Sequence, residues 1–164
     1  MKNNFQSPTL GELTFPKVLG EIFSFLSEHK KDSFRLIVGT DSKNQKNGRV
    51  VFVSILAVHR IGKGGKFYLQ KHYLRNIHTL RHRIWQEVNF SLLLAQKVIS
   101  ALGQKHLFDS SILKNLEIHV DVGTHGETKD MIKELVGYVT QNGFKAKIKP
   151  ESFGASIVAD KFCH

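Results

Sequence analysis

Phe34-Arg35-Leu36-Ile37-Val38-Gly39-Thr40-Asp41-Ser42 is a mostly apolar run that ends in a carboxylate. A polar break, His29-Lys30-Lys31-Asp32-Ser33, precedes it, and the turn-rich stretch Asp41 to Gly48 follows it. That pattern predicts a short buried strand over Phe34–Thr40. In open α/β sheets, ligand sites lie at the carboxyl ends of such strands, which puts Asp41 first among the candidates.

Downstream, Arg49–Arg60 is β-branched and long, Ile61–Gly65 is a glycine turn, and Lys66–Arg75 alternates as a third strand. Three strands joined by short turns predict an antiparallel meander. Thr79–Leu102 then places Ile84, Trp85, Val88, Leu92, Ala95, Ile99 and Leu102 near one helical face, with Gly103 suited to its end. Asn115–Val120 is a fourth strand, and it too runs into an acid, Asp121. A loop over Val122–Gly126, a helix from about Glu127 to Gln141, a fifth strand over Phe144–Lys149 and a last helix from Pro150-Glu151-Ser152 through Lys161 complete the chain. Upstream, Leu13–Glu28 is amphipathic, started by Thr14 or Pro16. The expected fold class is α/β: a mixed five-stranded sheet in the order β-β-β-α-β-α-β-α, with an N-terminal helix.

The 164 residues fit one domain, and 41% hydrophobic with 23% charged residues excludes a disordered chain. No apolar run approaches the roughly 20 residues of a membrane span. The first eight residues lack the apolar core of a secretory signal, and the lone Cys163 cannot build a disulfide framework or a cysteine-rich zinc site. A cytoplasmic protein with no membrane partner is expected; oligomeric state is left open. The formal charge of +10 sits in one place. Between Ser42 and Gln86 stand ten Lys and Arg and no Asp or Glu, while the rest of the chain balances 14 basic against 14 acidic residues. Such a footprint predicts a nucleic acid partner (DNA, RNA or hybrid) whose phosphates release counterions on binding. Of the aromatic residues interleaved there (Phe52, Phe67, Tyr68, Tyr73), strand spacing assigns most to the core.

Asp41 and Glu87 bracket the basic stretch. Glu87 borders the apolar face of the long helix, Asp121 ends the fourth strand, and Asp160 lies beside Ile157 and Val158 on the last helix. Singly, each has an ordinary use, as a turn-starter or a solvated acid. Together they are strand end, long helix, strand end and last helix. Converging carboxylates repel and need cations or raised pKa values. Hard divalent ions prefer such oxygen ligands, and two ions about 3.5–4 Å apart clamp the oxygens of a phosphoryl displacement. His78 and His82 have metal-ligand spacing, but Thr79 stands where a zinc protease helix carries Glu. His125 follows Asp121 by four residues, as a loop histidine or a proton donor.

The order of acids resembles that of ribonuclease H-like nucleases. More closely, the chain is similar to the YkuK-type family of that superfamily. The matching stretches are Ile37-Val38-Gly39-Thr40-Asp41-Ser42, His119-Val120-Asp121-Val122-Gly123-Thr124 and Lys149 through Asp160. The resemblance implies a ribonuclease H-like domain over 34–164, with 1–33 as an N-terminal helical extension. It implies hydrolysis of nucleic acid phosphodiesters with two Mg²⁺ or Mn²⁺ ions, Asp41 bridging both and Glu87, Asp121 and Asp160 completing their shells. Ribonuclease H itself carries its fourth acid near the start of the last helix, where Glu151 stands here; other branches place it after Ala, as in Ala159-Asp160. Asp160 is preferred and Glu151 is the alternative. Lys43, Arg81 and Arg83, next to the acids in sequence, are the expected phosphate contacts. The alternative function is a nucleic-acid-binding module that kept the fold and lost the chemistry.

Overall fold

The computed structural model describes residues 4–103 and 110–153. The strand that carries Asp41, β3, spans Phe34–Asn44 and pairs antiparallel with β4 (Arg49–Arg60), which pairs antiparallel with β5 (Gly64–Arg75). On its other side β3 pairs parallel with β6 (Glu117–His119), and β6 pairs parallel with β7 (Lys145–Lys147). The meander and the parallel crossover are as the sequence predicts. Gly48 turns the β3–β4 hairpin at φ +71°, a left-handed conformation that glycine adopts without steric cost.

The sheet has seven strands, not five. A hairpin of β1 (Phe5–Ser7) and β2 (Gly11–Leu13) extends the β5 edge, giving the order β2-β1-β5-β4-β3-β6-β7. Three-residue strands are too short to show a period of two, so the sequence pattern does not reveal them. Their anchor is Phe5, fully buried against the sheet. The hairpin also moves the first helix: Leu13 ends β2, and α1 runs over Phe15–Glu28 with Pro16 in its first turn.

Side-chain alternation assigns the two faces. Leu36 and Val38 of β3, Leu56 and Val58 of β4 and Tyr68 of β5 share one face. They pack with Val18 and Ile22 of α1, with Ile84, Val88 and Ala95 of α2 (Leu80–Gly103) and with Leu135 and Val139 of α4 (Ile132–Gln141). The β1–β2 hairpin and α1 thus supply both sheet edge and core to the body of the fold. The opposite face carries a smaller apolar cluster of Val51, Val53, Ile55 and Leu69. Between α2 and β6 stands a short helix, α3 (Ser110–Lys114), and a 3-10 turn over Lys129–Met131 precedes α4, so that helix begins later than its polar lead-in predicts. The predicted last helix falls almost wholly outside the described residues.

Candidate active site

Asp41 does not end its strand. It lies inside β3, three residues before Asn44, because the polar residues after it continue the ladder as partners of Val50, Val51 and Phe52. Its carboxylate curls back on the next peptide, where the Ser42 N–H donates to Oδ1 at 2.7 Å. Asp121 lies two residues past β6, in irregular chain. That chain is still tied to the next segment, since Val120 N–H donates to the Lys147 carbonyl and Lys149 N–H to the Val122 carbonyl. The last parallel pair is Gly39↔His119, two residues short of each acid. Asp41 and Asp121 both lie close enough to Glu87 for their charges to act on its carboxyl.

Glu87 approaches from α2, two turns into the helix. Thr79 starts that helix by accepting the His82 N–H on Oγ1 at 3.1 Å. A seam of hydroxyls fixes α2 over β3. Ser91 Oγ lies 2.9 Å from both Thr40 Oγ1 and the Glu87 carbonyl oxygen, and Thr40 Oγ1 shares a 2.9 Å hydrogen bond with Ser54. Ser42 Oγ donates to Glu87 Oε1 at 2.5 Å. Ser42 is thus a site residue that sequence reading passed over. Its signal was parity: it stands two residues from Thr40 and so faces the helix. Ser91→Ala removes one hydrogen bond between helix and strand while Thr40 keeps Ser54. The expected cost is about 1 kcal/mol, measured as a fall in urea midpoint at unchanged m-value.

The Glu87 side chain is buried, the residue being 6% exposed. Burial pushes its carboxyl up to about 8; the negative charges of Asp41 and Asp121 push the same way, against the Ser42 hydrogen bond and the Arg83 guanidinium. The first and third acids of the predicted set of four therefore act on the second in the folded chain. They do not form a closed ligand group: among the described residues no three His, Cys, Asp or Glu side chains stand together as a ready metal site. A cation already sits at one of them, for Lys149 Nζ is 2.9 Å from Asp121 Oδ1. Sequence reading had no means to find Lys149, since the pair depends on the crossover that brings two strand ends together. Asp160, like the stretch from Gly154 onward, lies outside the described residues. Glu151 is exposed and pairs with Lys147 at 2.8 Å, which holds its carboxyl below the usual glutamate range.

The basic stretch divides by place. At the end of the meander far from Asp41, Arg60 and Lys63 pair with Asp32 at 2.5 and 2.8 Å, and Lys66 with Glu21 at 3.2 Å. Arg81, an expected phosphate contact, pairs with Glu134 of α4 across the surface. Arg83 is half-buried, with its Nε unpartnered beside Glu87. Lys43 is exposed on β3. Of the histidines, His125 is exposed in the loop after Asp121, and His72 stacks on Phe90 with ring centroids 4.4 Å apart.

A chain with this sheet order and these acids can be set beside known proteins. It is 32% identical over 169 residues to the uncharacterised protein YkuK of Bacillus subtilis (strain 168), a match covering 96% of this chain and 95% of that protein. No solved structure matches it. No helix among the described residues is long and apolar enough to cross a membrane. The family model described as ribonuclease H-like matches residues 17–164, from α1 to the last residue, and supports a nuclease-like or nucleic-acid-related role. The match takes in β3, α2 and the strand end at Asp121, and the meander with its parallel crossover agrees with it: this chain belongs to the ribonuclease H-like family, of YkuK type.

Proposed function

We propose that this protein is a cytoplasmic, divalent-metal-dependent nuclease that hydrolyses phosphodiester bonds at Asp41, Glu87 and Asp121, with Asp160 as the fourth acid. The observation that carries the reading is Glu87. A carboxyl buried under a sheet edge, raised to about 8 by desolvation and by two neighbouring carboxylates, costs stability whenever it ionises. Such a group is a poor structural choice and a good ligand for a hard cation. The donor set therefore fits Mg²⁺ or Mn²⁺ in kind, and Asp121 already takes a cation partner in Lys149 Nζ at 2.9 Å. Two such ions, when bound, supply electrostatic stabilisation to both oxygens of the displaced phosphate.

The chain's own residues prepare that chemistry. Ser42 and the Ser91–Thr40 seam hold Glu87 in place, so its carboxylate need not be ordered during turnover. Arg83 lies beside Glu87, where its charge can offset that of an incoming phosphate. The β3–β6 pairing ends two residues before Asp41 and Asp121, and the charges of both reach Glu87. The test is cleavage of end-labelled single-stranded, duplex and hybrid oligonucleotides with Mg²⁺ or Mn²⁺. Cleavage that EDTA abolishes is the expected result, and no cleavage of any substrate with either ion overturns it. The second reading, a binding module without chemistry, is favoured by the absence of a closed ligand group among the described residues. It predicts binding of the same oligonucleotides with no cleavage.

A further inference from the structure

On the sheet face that carries Asp41, cross-strand pairing lines up three rows. Asp41 pairs with Val53 and Val53 with Lys71; Lys43 pairs with Val51 and Val51 with Tyr73; Arg49 pairs with Arg75. Lys43, Arg49, Lys71, Tyr73 and Arg75 are all exposed, and Tyr73 is 52% exposed. None of the four cations belongs to an ion pair among the described residues, unlike Arg60, Lys63, Lys66 and Arg81 of the same basic stretch. β1 meets β5 only at Leu69, so Lys71 to Arg75 is open sheet edge among the described residues. An open cavity of about 500 Å³ wraps that edge, lined by Arg49, Lys71, Tyr73 and Arg75 and, from the helix-covered face, by His72, Leu74 and Phe90.

We infer that this patch binds single-stranded nucleic acid, with one unpaired base stacked on Tyr73 and the backbone phosphates on Lys43, Arg49, Lys71 and Arg75. Charge complementarity points to a polyanion. Arg49 and Arg75 stand directly opposed on one face, an arrangement that is destabilising unless an anion lies between them. An open edge is often guarded by Lys against pairing with another strand. That role does not account for Lys43 and Arg49, which lie on inner strands, or for an exposed tyrosine among cations. Tyr73 decides between single strand and duplex. In a duplex the base faces are already stacked, whereas an unpaired base offers a face to an aromatic ring. Strand spacing and residue rise place Tyr73 roughly 12 Å from Asp41, a few nucleotides along the same strand. The inference rests on the nuclease reading only for what happens to the strand once bound.

Binding is measured by fluorescence anisotropy in EDTA, so that cleavage plays no part. The probes are an unstructured deoxyribonucleotide oligomer, its ribonucleotide counterpart and a blunt duplex of equal length. Tyr73→Ala is expected to weaken single-strand binding about 5- to 150-fold and to leave duplex binding unchanged, while Tyr73→Trp retains affinity. Lys71→Gln is expected to reduce the slope of log affinity against log salt by about 0.7. Tyr73-dependent binding of either single strand sustains the inference and identifies the sugar it prefers. Equal affinity of wild type and Tyr73→Ala for both single strands, with an unchanged melting temperature, overturns it. So does tighter duplex binding with the same sensitivity. EDTA-sensitive cleavage by a protein that fails this binding test would leave the nuclease reading standing without the platform.

Discussion

Asp41→Asn is expected to reduce Mg²⁺-supported cleavage on the order of a thousandfold or more, with single-strand binding in EDTA within about twofold of wild type. The change preserves shape and removes one of the negative charges that act on Glu87. Electrostatic support of a phosphoryl displacement by bound divalent ions contributes several kcal/mol, and about 4 kcal/mol corresponds to a thousandfold in rate. Asn keeps one carbonyl oxygen as ligand but not the charge that offsets two cations. The same substitution removes one of the charges that raise the Glu87 carboxyl, so that group titrates lower in the variant. Steady-state cleavage, metal-dependence curves and anisotropy on the same preparation separate loss of chemistry from loss of substrate. Equal activity in variant and wild type would remove Asp41 from the site and the two-metal reading with it.

Glu87→Gln is expected to stabilise the metal-free protein at pH 8 and above. The folded carboxyl titrates at about 8, because burial disfavours its charge and Asp41 and Asp121 repel it; the unperturbed value is 4.5. The native state therefore holds a proton that the unfolded chain releases between those values. Wild-type stability is greatest below pH 4.5 as far as this group is concerned, and falls as pH rises through 8. The slope approaches 1.4 kcal/mol per pH unit, and the sum is on the order of 5 kcal/mol. Gln keeps an oxygen for the Ser42 hydroxyl at Oε1 and has nothing to titrate. In thermal melts with EDTA the two proteins converge near pH 5, and the variant leads by about 10 °C above pH 8. Millimolar Mg²⁺ closes part of the gap by stabilising wild type through mass action and the variant less. Parallel curves for the two proteins between pH 5 and 8 would show that Glu87 ionises freely.

Much of the fold was legible because its signals are local. Leu36-Ile37-Val38 is an unbroken apolar run, which belongs to a strand covered on both sides, and all three are fully buried. The glycine turns between β3, β4 and β5 declare a meander, and the apolar stripe of α2 declares a covering helix. The β1–β2 hairpin was not legible, since two three-residue strands carry no periodicity and depend on Phe5 finding the core. The strand end after Thr40 was misplaced for a related reason. Asp41 to Asn44 look like a turn, yet β4 supplies ladder partners that keep them extended.

The sequence by itself determined which acids occur, in what order and on which kinds of element, because those follow from periodicity and turn chemistry along the chain. It also located the positive charge. Only the tertiary structure decided how those groups behave. It neutralised Arg60, Lys63, Lys66 and Arg81 with acids distant in sequence, and left Lys43, Arg49, Lys71 and Arg75 to face outward beside Asp41. It buried Phe52 and Tyr68 while leaving Tyr73 in solvent, though all three stand at strand spacing. It raised the Glu87 carboxyl to about 8 and set Lys149 against Asp121. The physical reason is common to all four: desolvation and charge interaction depend on distance through space, and sheet register brings together residues that the chain separates.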